Sequence, residues 1–97
     1  EHVGDIKPII QIFLQSLDRR LTELEKAVQA KDPLEISKIT HTMKGNSSQF
    51  GAENLAELCQ LAESMGKSGN LQQISRIFQQ ILSAAQQVKH FFLEQLE

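Results

Sequence analysis

The stretch His41-Thr42-Met43-Lys44-Gly45-Asn46-Ser47-Ser48-Gln49-Phe50-Gly51-Ala52 decides the fold. At about 100° per helical residue, Ile36, Ile39, Met43 and Phe50 line one apolar stripe, so the segment reads as an amphipathic helix with one buried face. Gly51 follows the last residue of the stripe. Glycine accepts the left-handed conformation that commonly closes a helix, so the chain turns back there. The polar side of the helix holds His41, roughly 160° from the centre of the stripe, together with Lys44 and Gly45. A glycine at that position costs a helix about 1 kcal/mol relative to alanine and asks for a reason beyond helix stability.

Working outward, Lys31-Asp32-Pro33 precedes this helix as a break: Asp32 is placed to cap it and Pro33 suits its first position. Before the break, Ile6, Ile9, Ile10, Phe13, Leu14, Leu17, Leu21, Leu24 and Val28 recur at spacings of three and four, the pattern of one long amphipathic helix. Asp5 stands at its start as a cap or first-turn acid, and Pro8 is tolerated within the first turn or so. After Gly51, Leu55, Leu58, Cys59, Ala62 and Met65 give a third stripe, closed by the loop-like cluster Gly66-Lys67-Ser68-Gly69. From Asn70 onward, Leu71, Ile74, Ile77, Phe78, Ile81, Leu82, Ala85, Val88, Phe92 and Leu96 continue at helical spacing almost to the end. The sequence therefore predicts four helices, over about 5–30, 33–50, 52–66 and 70–96. No segment alternates as a half-buried strand does, and short turns make sequential helices antiparallel. The expectation is an all-α, up-down four-helix bundle.

At 97 residues and 40% hydrophobic, the chain is expected to form a single domain with its own core. Ten basic residues spread among twelve acidic ones leave no basic stripe, which argues against a nucleic-acid partner. No apolar run approaches the roughly 20 residues that a membrane span needs, so no direct membrane contact is expected. One cysteine, Cys59, excludes an internal disulfide and fits a reducing, cytoplasmic setting; on the third stripe it reads as a small core residue. The chain begins at Glu1 without an initiator methionine, which suggests a domain excised from a larger protein.

A neutral imidazole nitrogen is a competent nucleophile near neutral pH, so an exposed histidine can accept a phosphoryl group without an adjacent base. The chemistry then needs a cation near the phosphate oxygens and room for the donor. Lys44, three residues on, supplies the cation. Gly45, at i+4, supplies the room. Ser48, at i+7, keeps the strip small and can donate a hydrogen bond. A surface histidine or lysine by itself is ordinarily idle; what points to chemistry is the combination with an otherwise costly glycine. His2, near the terminus, and His90, without a paired lysine or glycine, read as solvated residues. The Glu-x-x-His pairs of helical di-metal sites are absent, as is any Gly-rich phosphate loop, so neither a metal site nor ATP-dependent self-phosphorylation is expected.

The run resembles the motif of histidine-containing phosphotransfer (HPt) domains: His, any residue, Leu or Met, Lys, Gly, two small residues, two variable ones, an apolar residue, then Gly. His41, Met43, Lys44, Gly45, Ser47, Phe50 and Gly51 match it. Asn46 is larger than the residue usual at its position. The four-helix layout and the Leu-rich third helix extend the resemblance over nearly the whole chain. It implies a phosphocarrier, not an enzyme in its own right: a phosphorelay intermediate of two-component signalling. His41 would accept the phosphoryl group from the aspartyl phosphate of one receiver domain and pass it to another. Lys44 would steady that group, and Gly45 would admit the receiver. Family members often place a polar residue of the third helix against the histidine ring, with a basic residue one turn later. The corresponding positions are Glu63, which would orient the ring by accepting from Nδ1–H, and Lys67, a second cation. The other reading of Glu63 and Lys67 is a surface ion pair worth a few tenths of a kcal/mol.

The resemblance further implies response-regulator receiver domains as partners, together with the kinase and receiver domains of a parent hybrid sensor kinase that would tether the domain to the inner face of a membrane. The receiver would bring the aspartate and Mg²⁺, leaving no cofactor on this chain, and apolar residues from the start of helix one would rim the docking surface. Four helices in one chain make a monomer the expectation. Two other readings stay open. A sensor-kinase dimerisation domain also carries a helical histidine, but there an acid follows it and a proline comes soon after; here Thr42 follows, and no proline occurs after Pro33. A helical interaction module that transfers no phosphate is the other.

Overall fold

A computed structural model describes residues 5–97. The four helices are α1 (Lys7–Gln29), α2 (Pro33–Gln49), α3 (Glu53–Ser68) and α4 (Ile74–Gln95). Each packs on its neighbour in sequence and α1 closes on α4, giving an antiparallel four-helix bundle of 52 × 19 × 18 Å. No strand occurs among the described residues. The core is built from the expected stripes: Ile10, Phe13, Leu14, Leu17 and Leu24 of α1 meet Ile36, Ile39 and Met43 of α2, Leu55, Cys59 and Ala62 of α3, and Ile77, Phe78, Ile81 and Ala85 of α4. Burial pushes the Cys59 thiol up to about 12, which leaves it an inert core group. At the end of the bundle where α2 finishes, Phe13 stacks on Phe50 at 4.2 Å and Phe92 meets both rings edge-on, tying α1, α2 and α4 together.

The helix ends follow local chemistry. Asp5 is neither cap nor first-turn acid: Ile6 holds the N-cap position of α1, and Asp5 before it accepts from the Lys7 amide at 3.0 Å, whereas Asp32 caps α2 by accepting from the Glu35 amide at 3.2 Å with Pro33 as the first residue of that helix. Gly51, at φ +75°, closes α2: its amide bonds the Ser48 carbonyl and the Ala52 amide bonds that of Ser47. Lys31, at φ 52°, plays the same part after α1, its amide on Val28 and that of Asp32 on Ala27.

Three further expectations need correction. Helix three does not stop at 66 but runs through Lys67 and Ser68 to a left-handed Gly69. Gly66 is therefore not a loop glycine; it is buried inside α3, where a Cβ would lie 2.6 Å from the Pro33 carbonyl oxygen and 2.9 Å from the Ser37 amide nitrogen. Its missing side chain lets α3 close onto the first turn of α2. Helix four starts at Ile74, not 70, because Ser68 Oγ accepts from the Asn70 amide and Asn70 Oδ1 from the Gln72 amide, a side-chain turn that competes with helix. Ile6 and Ile9, assigned to the apolar stripe of helix one, are 64% and 56% exposed. They sit at the stripe's edge, about 100° of helix rotation from Ile10 for Ile9, beyond what the neighbouring helices cover.

Candidate functional site

The close approach of α2 and α3 assembles the site. Thr40 buries its hydroxyl by donating to the Ile36 carbonyl at 2.7 Å, which leaves the next residue, His41, on the outer face. The His41 side chain is 68% exposed, yet its Nδ1 lies 2.9 Å from Oε2 of Glu63 across the helix pair. Glu63 is itself only 2% exposed. It is thus no surface ion pair, although Lys67, one turn later, is largely solvated and reaches Oε2 at 3.2 Å. Lys44 Nζ completes the arrangement at 2.9 Å from Oε1 of Glu63 and 2.9 Å from Oε1 of Gln60.

Desolvation by burial works to raise the Glu63 carboxyl, but the hydrogen bonds from Lys44, Lys67 and His41 outweigh it and bring the group down to about 2. Glu63 is therefore ionised at neutral pH. An ionised carboxylate only accepts hydrogen bonds, so a neutral His41 ring bonded to it carries its proton on Nδ1 and keeps a free lone pair on Nε2. Among the described residues Nε2 has no hydrogen-bond partner. The arrangement thus presents a nucleophilic nitrogen to solvent beside two ammonium groups.

Gly45 is exposed on the same helix, and a Cβ there would meet nothing within 4 Å, so no packing within the chain demands the glycine. Ser48 is exposed one turn further and takes no part in the hydrogen-bonded cluster. His90 pairs with Glu94, at 3.2 Å on the surface of α4, and His2 lies outside the described residues. Among the described residues no three His, Cys, Asp or Glu side chains are grouped to hold a metal ion, and no helix is long and apolar enough to cross a membrane.

One feature escaped the sequence reading, and a second gives the apolar residues expected at the start of helix one their place. Gln60 holds Lys44 from the far side; its signal was its position three residues before Glu63, on the same face of α3. Between α1 and α2 runs an open apolar groove lined by Ile9, Ile12, Phe13, Asn46, Gln49 and Phe50. The exposed Ile9 and Ile12 thus stand beside the same α2 segment that carries Gly45 and Ser48.

The family model described as Hpt domain matches residues 8–91. Over 60 residues, 62% of this chain, the sequence is 27% identical to Multistep phosphorelay regulator 1 of Schizosaccharomyces pombe (strain 972 / ATCC 24843). The chain spans 20% of the length of that relative. Among solved structures, histidine-containing phosphotransfer protein B (HptB) from Pseudomonas aeruginosa PAO1 superposes with a TM-score of 0.90 at 28% identity, over 92% of this chain and 77% of that one.

Proposed function

The chain belongs to the Hpt domain family, whose members are phosphocarrier modules of phosphorelays, and on that premise we propose that His41 is the residue that carries the phosphoryl group. The observation that supports this most is the Glu63–Nδ1 hydrogen bond, which leaves Nε2 as the only basic nitrogen of an exposed ring. In the forward step the Nε2 lone pair attacks phosphorus of a receiver's aspartyl phosphate. The P–O bond breaks and its electron pair leaves with the aspartate carboxylate. The return step reverses this on a second receiver. Lys44 and Lys67 neutralise the phosphoryl oxygens, each with an ammonium N–H not taken up by Glu63 or Gln60.

Gly45 and Ser48 keep the surface beside the ring low enough for a receiver to approach. The groove edged by Ile9 and Ile12 gives that receiver an apolar contact, with the polar Asn46 and Gln49 along its other wall. On this reading the receiver contributes the acidic pocket and Mg²⁺, and this domain contributes the imidazole and the two ammonium groups beside it. We place it as a monomeric domain of a cytoplasmic signalling chain, such as a hybrid sensor kinase, without nucleic-acid or membrane contacts of its own.

The test is transfer from a receiver phosphorylated with radiolabelled phosphate. The wild-type chain is expected to take up label and yield it to a second receiver, while His41→Gln, folded by circular dichroism, takes up none. Equal labelling of the two proteins would contradict the assignment.

A further inference from the structure

Orienting an imidazole requires only a hydrogen-bond acceptor, and a neutral amide would serve without burying a charge. Glu63 is nonetheless an ionised carboxylate at 2% exposure, held by three cationic or ring donors. Buried charge is retained at a cost in desolvation, so its sign invites a role that an amide cannot fill. The ring's own charge changes during the transfer. When the Nε2 lone pair forms its bond to phosphorus, a ring that keeps its Nδ1 proton becomes cationic.

Resting on the reading of His41 as phosphoacceptor, we propose that Glu63 holds the proton on Nδ1 for as long as Nε2 carries the phosphoryl group, so that phosphorylated His41 is a phosphoimidazolium. Two observations carry this. Oε2 lies 2.9 Å from Nδ1, and loss of the proton would set a ring lone pair against a carboxylate lone pair at that distance. The charge balance points the same way. Glu63, Lys44 and Lys67 together carry one net positive charge. A phosphoryl dianion on a protonated ring carries one net negative charge and neutralises the cluster; on a deprotonated ring it leaves an excess negative charge beside a buried carboxylate. The groups facing the ring are Lys44 from α2 and Glu63 and Lys67 from α3, with Gln60 behind Lys44; among the described residues no ionised group of α1 or α4 pairs with it.

The consequence is reactivity. When the receiving carboxylate attacks phosphorus and the P–Nε2 bond breaks, its electron pair returns to Nε2. With the Nδ1 proton in place the departing group is neutral imidazole; without it the departing group is imidazolate, a far poorer leaving group. Glu63 thus keeps the carrier primed to discharge, where a glutamine would let it relax into a longer-lived store.

The experiment uses the whole chain, ¹⁵N-labelled in histidine and phosphorylated on His41 with phosphoramidate, the His41 signals being assigned by their loss in His41→Gln. The Nδ1 resonance is followed by NMR from about pH 6 to 9, where an unperturbed imidazole loses its proton. The lifetime of the phosphohistidine is read by ³¹P NMR. In the wild type Nδ1 is expected to stay protonated and the lifetime to be nearly constant. In Glu63→Gln, Nδ1 is expected to titrate within the range. The lifetime then lengthens toward alkaline pH, by up to about tenfold for each unit of lost proton affinity. A wild-type Nδ1 that titrates across this range overturns the proposal, whether or not the variant folds. A receiver that never labels His41 would remove the acceptor itself; a phosphorylated His41 whose Nδ1 titrates freely removes only the role given to Glu63.

Discussion

A Cβ added at Gly45 meets nothing, whereas one added at Gly66 runs into the backbone of Pro33 and Ser37. Gly45→Ala is therefore expected to stabilise the isolated domain by about 1 kcal/mol through helix propensity. Gly66→Ala is expected to destabilise it by about 1–3 kcal/mol by forcing α2 and α3 apart. Urea denaturation of the two variants checks both signs, and a larger residue at Gly45 should slow phosphotransfer while leaving stability intact. Glu63 adds a pH signature. Its folded-state carboxyl lies near 2 against an ordinary 4.5, so its contribution to stability is complete above about 4.5 and is lost as pH falls toward 2. Acid titration of the unfolding free energy should show a shallower fall over that window in Glu63→Gln than in the wild type. That His41, Lys44 and Gly45 share the outer side of one helix was legible in the sequence, because their relation is a spacing along that helix. The burial of Glu63 and the part of Gln60 were not, since both depend on how closely α3 approaches α2, which a buried glycine sets across the pair.

At the scale of the helix, the contrast between Lys31 and Gly51 is instructive. Both occupy a left-handed position after a helix and make equivalent backbone hydrogen bonds, but only one is a glycine. Lys31→Gly is expected to raise stability by about 1 kcal/mol, the cost of holding an L-residue there. Asp32→Ala is expected to lower it by a similar amount, about 1 kcal/mol, by uncapping α2. Thermal unfolding of the two single variants, with opposite shifts in midpoint, checks this. Asp32-Pro33 and Gly51 could be read as boundaries because capping and left-handed closure are local. The α3–α4 turn could not: glycine at 66 looks like a breaker until tertiary contact explains it, and the turn through Ser68 and Asn70 is made by side chains that a periodicity reading treats as neutral.

At the scale of the whole fold, the described residues form a rod with His41 on its flank, at the middle of α2, not at an end. That placement leaves the long side of the bundle open to a globular partner, with the Ile9 and Ile12 groove along the α1–α2 edge. Replacing both isoleucines by serine is expected to weaken receiver transfer by about tenfold or more, on the scale of one to two apolar contacts, with little change in stability because both side chains are already exposed. The bundle itself was legible from four apolar stripes. The exposure of Ile6 and Ile9 was not, because a stripe records which residues share a helix face and not how far neighbouring helices extend over it. The central claim, that His41 passes on what it accepts, is tested most directly by a chase. The chain, labelled on His41 and freed of donor, is mixed with an unphosphorylated cognate receiver and Mg²⁺, and the label on each protein is timed. The account predicts that label leaves His41 and appears on the receiver's aspartate in equal amount, far faster than it is released as free phosphate when the chain stands alone. Label that stays on the chain, or leaves only as free phosphate at the unassisted rate, would contradict it.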